Sequence, residues 1–128
     1  MSWDVEFEDS FSAEFDDFSE AVQDAILAKV KTLQVIGPQL GRPHVDTLAA
    51  SKHPNMKEIR CDADNGVWRV AFAFDPKRKA ILLVAGDKSG VNQKRFYKKL
   101  IEIADERFQR HLEKQKGDMQ WVSHWKKN

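Results

Sequence analysis

Near the start of the chain, Trp3, Val5 and Phe7 alternate with Asp4 and Glu6. A period of two is the mark of a half-buried strand. Ser10 then offers an N-cap for a short helix whose Phe11, Phe15 and Phe18 fall at i, i+4 and i+7. A second helix is predicted from Ser19, with Val22, Ile26, Val30 and Leu33 on one face. Gly37-Pro38 ends it, because glycine suits the left-handed position after a helix and proline cannot continue it. Residues 39–55, with Gly41-Arg42-Pro43 and His53-Pro54-Asn55, predict an ordered connection with little regular structure. Three strands follow near 56–62, 67–74 and 80–87, turned by Asp64-Asn65-Gly66 and Asp75-Pro76-Lys77. A last helix is expected from about Asn92 to Lys114, burying Phe96, Leu100, Ile103 and Phe108.

The predicted order is β-α-α-β-β-β-α, an α+β fold. Strands joined by short turns are antiparallel, whereas the first strand joins the sheet after a long helical detour. The run from Ala80 to Ala85 is apolar at every position, which marks a central strand covered on both faces. The expected architecture is a curved, antiparallel-rich sheet of about four strands, with helices packed on one face and the other face partly open. A functional cleft belongs on that open face.

With 128 residues, 41% hydrophobic and 32% charged, the chain has the size and composition of one globular domain. No apolar run reaches the ~18 residues of a membrane helix, and the N-terminus lacks the basic and apolar regions of a secretory signal. The single cysteine, Cys61, has no disulfide partner within the chain and reads as a small buried apolar residue. A cytoplasmic location and no membrane association are therefore expected. The net charge of +1 hides an asymmetry: residues 1–24 hold nine acidic groups and no Lys or Arg, so the rest carries 21 basic groups against 11 acidic ones. That pattern fits either ordinary solvated surfaces or a basic face for a polyanion with an acidic flank.

The strand from Val67 to Phe74 sends Trp68, Val70, Phe72 and Phe74 to the helix side, and Val67, Arg69, Ala71 and Ala73 to the other. Arg69 thus stands mid-strand among small residues and needs an anion. Glu58 or Asp62 on the neighbouring strand can supply it as an ion pair; alternatively Arg69 clamps a phosphate, whose oxygens a guanidinium matches two at a time. Arg60 leaves its strand on the same face. Lys57 lies at the entry of that strand beside the loop carrying Lys52 and His53, Lys88 just past the central strand, and Arg95 and Tyr97 on the first turn of the last helix.

The chain has no Ser-His-Asp arrangement, no glycine-rich phosphate loop and no HExxH or CxxC set, and its four histidines show no ligand spacing. No metal and no cofactor are expected. Metal-free RNA cleavage fits these residue types, because RNA carries its own nucleophile in the 2′-hydroxyl. Cations stabilise the phosphorane-like transition state, and a lysine crowded by other cations has the lowered pKa of a base. Tyrosine at the rim can stack on a nucleobase or share in proton transfer.

Segments of the chain, namely Arg42-Pro43-His44, the KEIR run of 57–60, GVWRVAFAFD of 66–75 and ILLVAGDK of 81–88, resemble the phage-derived Gp49-like branch of the HigB toxins within the RelE/ParE superfamily. The resemblance spans about residues 1–115, and a toxin domain of residues 1–116 is expected. It implies a ribosome-dependent endoribonuclease that cuts translated messenger RNA, with Arg69 as transition-state stabiliser, Lys57 as base and Tyr97 touching substrate. Arg60, Lys88, Arg95, Lys52 and His53 then hold RNA and its phosphates. It further implies a HigA-like helix-turn-helix antitoxin, through which the toxin is tied to operator DNA, with ribosome and messenger RNA as targets. Many HigB proteins place a histidine near the chain end; here Lys98 and Lys99 follow Tyr97, so that role is empty or moved. ParE-like members of the same fold inhibit DNA gyrase instead, and fold alone does not separate the two. Residues 117–128 fall outside the resemblance; Trp121 and Trp125, four apart, suit one face of a short helix that packs back on the domain or meets a partner.

Overall fold

The structure, a computed structural model, describes the backbone of residues 2–127 and the side chains of residues 2–117. Strand β1 (Asp4–Phe7) is followed by helices α1 (Asp9–Asp16) and α2 (Glu20–Ile36), then β2 (Val45–Thr47), β3 (Lys57–Ala63), β4 (Gly66–Phe74), β5 (Lys79–Asp87) and α3 (Gln93–Lys127). Among the described residues no helix is long and apolar enough to cross a membrane.

Helix α2 begins where the sequence places it, with Ser19 Oγ accepting the Val22 N–H at 3.3 Å. It ends at Gly37, whose φ of 73° is open to glycine and whose missing side chain leaves room for the Trp3 indole. Helix α1 starts earlier than expected. Glu8, not Ser10, caps it by accepting the Phe11 N–H at 3.0 Å, which brings Phe11 and Phe15 onto Phe7. The three antiparallel strands fall within a residue or two of their predicted limits.

The sheet has five strands rather than four, in the order β1-β5-β4-β3-β2. Strand β2 lies in the stretch expected to be irregular, and pairs Val45 with Ile59 and Thr47 with Lys57. Three residues are too few to show a period in sequence. Strand β1 pairs parallel to β5, so β5 lies between two strands, as its apolar run requires.

The antiparallel α+β architecture stands, but the helices divide between the two faces. Val70, Phe72, Ala80 and Leu82 join Phe11, Val22, Ile26 and Leu33 in one core on the α1/α2 side. Ala71, Ala73, Ile81 and Leu83 join Leu100, Ala104 and Phe108 of α3 in a second core. The face expected to lie open is therefore largely roofed by α3, which is also why β5 is apolar on both sides. At Gly86 a Cβ would stand 2.9 Å from the Phe96 ring; the glycine lets the first turn of α3 settle directly on β5. Helix α3 extends 13 residues past the expected end at Lys114, and its side chains at Trp121 and Trp125 lie outside the described residues.

Candidate functional site

Strand parity decides which cations meet. Arg60 and Arg69 are direct cross-strand partners on β3 and β4, a like-charge pairing that disfavours the fold unless an anion intervenes. Glu58, two residues before Arg60 and so on the same face, intervenes for Arg69. Its Oε1 lies 3.3 Å from Arg69 Nε, with both side chains under 10% exposed. Arg69 also donates from Nη1 to the Trp68 carbonyl at 2.9 Å. The ion pair that the sequence offered as one of two readings of Arg69 is thus the contact present. Roofed by α3, Arg69 sits one layer below the surface.

Tyr97 completes that buried group, donating its hydroxyl to Glu58 Oε1 at 2.7 Å. Burial, and then the Glu58 carboxylate, push the phenol above its ordinary pKa, so Tyr97 stays protonated. Lys88 leaves the end of β5 with Nζ 5.6 Å from the Tyr97 ring centre. Desolvation, followed by repulsion from Arg69, holds the Lys88 ammonium below the usual lysine pKa, with Arg60 adding to the effect and Glu58 opposing it.

Above this group opens a cavity of about 340 Å³, walled by Glu58, Arg60, Lys88, Gln93, Tyr97 and Ile101, and by the loop of residues 46–50. The loop is fixed from below. Asp105 of α3 accepts from Ser51 Oγ at 2.5 Å and from the Lys52 N–H at 3.1 Å. Among the described residues, Arg60 and Lys88 form no ion pair with a carboxylate. Asp46 at the rim is taken by Arg42 at 2.9 Å. Two cations without a carboxylate partner and a tyrosine ring on one hollow are the groups that can pair with a phosphodiester and stack on a base.

Of the residues singled out in sequence, the fold brings Arg60, Lys88 and Tyr97 together, with Arg69 beneath. Four others lie elsewhere. Lys57 projects to the opposite face, with Nζ donating to the Pro38 carbonyl at 3.1 Å and lying 6.0 Å from the Phe74 ring centre. It shares parity with Ile59 and Cys61, which are core residues of the α2 side. His53 packs edge-on against Phe108 at 4.9 Å between ring centres, roughly 16 Å along α3 from Tyr97, and Lys52 beside it is exposed. Arg95 borders an apolar groove with Val91, Phe96 and Leu100, away from the cavity. Cys61 is 7% exposed, and burial pushes its thiol up, so it remains a neutral core residue. Glu58 as the hub and Gln93 as a wall residue were missed as site members; only Glu58 carried a signal, its shared parity with Arg60.

The fold and site together describe a small α+β protein with a basic cavity at the edge of α3. A fold of this kind is found in a solved structure of Escherichia coli toxin RelE, a double arginine-to-alanine mutant in the free state, with a TM-score of 0.60 over 84% of this chain and 98% of that one. At 12% identity that likeness concerns the fold alone. In sequence, the putative toxin HigB3 of Mycobacterium tuberculosis is 45% identical over 73% of this chain and 79% of its own length. The putative toxin HigB2 of the same organism is 38% identical over 88% of this chain, a match that spans 55% of the relative's length. The family described as phage-derived protein Gp49-like matches residues 13–109. This chain belongs to that family.

Proposed function

We propose that the protein is the toxin of a type II toxin–antitoxin pair, acting in the cytoplasm as an endoribonuclease on messenger RNA held at the ribosome. The toxin relatives and the RelE-like fold support the class. The reading of the chemistry rests on one observation: Arg60 and Lys88, unpaired with any carboxylate among the described residues, share a hollow with Tyr97.

In this reading the roles shift from those expected in sequence. Lys88, whose ammonium is already held below the usual lysine range, takes the base role in place of Lys57. It removes the proton of a ribose 2′-hydroxyl, whose oxygen attacks the adjacent phosphorus. Arg60 pairs with the non-bridging oxygens as charge builds on them. The bond to the 5′-oxygen then breaks, leaving a 2′,3′-cyclic phosphate and a 5′-hydroxyl that takes its proton from solvent. Tyr97, fixed by Glu58, presents its ring to a base. Arg69 positions Glu58 and thereby Tyr97, without touching RNA. A HigA-like antitoxin that also binds operator DNA would silence the protein.

Inducing the protein in cells and mapping messenger 5′ ends tests this. Codon-phased cuts within translated regions are expected, disappearing in Lys88→Ala and Arg60→Ala. Intact messengers accompanied by a DNA-damage response would overturn the ribonuclease reading in favour of gyrase inhibition.

A further inference from the structure

A second hollow, of about 610 Å³, lies along the edge of β3 and is bordered by Lys29 of α2, Pro43, Arg60, Cys61, Asp62 and Arg69. Strand β2 covers β3 only as far as Ile59, and beyond it the His44 carbonyl accepts the Arg60 N–H at 2.8 Å. From there on, the edge of β3 faces α2 across this hollow. Lys29, half-buried, extends over the gap and places Nζ 2.8 Å from His44 Nδ1. An ammonium whose side-chain partner is an imidazole nitrogen rather than a carboxylate keeps its full charge for an anion. Arg69 borders the hollow from beneath, its guanidinium held by Glu58. Asp62 stands exposed at the border, with no ion pair among the described residues.

Arg60 borders both this hollow and the cavity of Lys88 and Tyr97. The two are therefore consecutive along one line of positive charge. We infer that the hollow of Lys29 and Arg60, with His44 beside Lys29, is a second phosphate subsite, holding the backbone of single-stranded RNA next to the nucleotide in the cavity. This rests on the ribonuclease reading and extends it to substrate length: a dinucleotide fills the cavity alone, and a longer strand gains the Lys29 contact. His44 serves by steering the Lys29 ammonium, and Asp62 biases the strand towards Lys29 by repelling its phosphates.

Binding of a short fluorescein-labelled, 2′-O-methylated oligoribonucleotide to the full chain tests the subsite, since the blocked 2′-oxygen prevents cutting. Lys29→Ala is expected to weaken binding roughly three- to fivefold, the effect of losing one half-exposed ion pair. It should also flatten the log-affinity against log-salt slope by about 0.7, the value for one phosphate contact on a single strand. Lys29→Arg should bind as the parent does, and Lys31→Ala, an exposed charge on the same helix, controls for net charge. If Lys29→Ala behaves as Lys31→Ala while Arg60→Ala and Lys88→Ala lose binding, the subsite is overturned and the cavity stands. If none of Lys29→Ala, Arg60→Ala and Lys88→Ala loses binding, both readings fall together.

Discussion

Arg69 shows how one side chain changes meaning with its surroundings. Its face was legible from the alternation of β4, because Trp68, Val70 and Phe72 could only point at the α1/α2 core. Its depth was not, since that depends on α3 arriving from more than 20 residues later in the chain. At 5% exposure, the Arg69–Glu58 pair is a buried ion pair, and breaking such a pair on one side leaves a charge without compensation. Arg69→Ala should therefore destabilise the fold by about 3–5 kcal/mol, and Arg69→Met combined with Glu58→Gln by much less. Denaturant unfolding of both single variants and the double reads the coupling directly. If Arg69→Ala unfolds at the parent's denaturant midpoint, the positioning role given to Arg69 is wrong. Lys57 teaches the opposite lesson: its parity with Ile59 already set it on the far face, and its nearness in sequence to Arg60 gave a misleading sense of shared location.

Between elements, the junction that makes the site is the landing of α3 on β5. Gly86 receives the Phe96 ring, and the next residue, Tyr97, thereby reaches Glu58 across the sheet. Nothing in a lone glycine within an apolar strand announces this, whereas the helical period of Phe96, Leu100 and Phe108 did foretell a packed helix. Gly86→Val would place two methyl groups where the ring lies, at a cost of about 1–3 kcal/mol for overpacking, and would lift the first turn of α3. Cleavage should fall by up to about 100-fold, the scale of a 1 Å misplacement of a reacting group, while a thermal melt still shows a folded protein. Parent-like cleavage by Gly86→Val would show that Tyr97 is not held by this contact. Further along, α3 is tied by Asp75, which is buried and accepts from His111 Nε2 at 2.8 Å and from Gln115 Nε2 at 2.5 Å. Burial raises the Asp75 carboxyl, but these hydrogen bonds outweigh it and leave the group below its ordinary range. The tie is thus complete at neutral pH and is lost only as acid protonates Asp75.

At the scale of the molecule, the charge asymmetry of the sequence proves to be partly internal. Glu14 of the acidic N-terminal region holds Arg107 of α3 with two hydrogen bonds of 2.8 and 2.6 Å, Glu8 lies 3.5 Å from Arg110, and Glu6 takes Lys79 at 2.8 Å. Arg107 and Arg110 of α3 and Lys79 of β5 are therefore answered within the fold. The line from Lys29 through Arg60 to Lys88, assembled from α2, β3 and the end of β5, forms no ion pair with a carboxylate among the described residues and is open to a polyanion. That line was half legible: Arg60 and Lys88 stood out in sequence, whereas Lys29 joined them only through the packing of α2 along β3.

On the proposed mechanism, Lys88 is the base that drives cleavage in this cavity. The pH profile of single-turnover cleavage of a messenger on purified ribosomes tests it most directly. Because its pKa is lowered, neutral Lys88 becomes available below the ~10.4 of an ordinary lysine. The rate should rise with pH and level off before that value, and Lys88→Ala should lose both the rise and most of the rate. A Lys88→Ala enzyme that cuts at the parent's rate with the same pH profile would contradict the account.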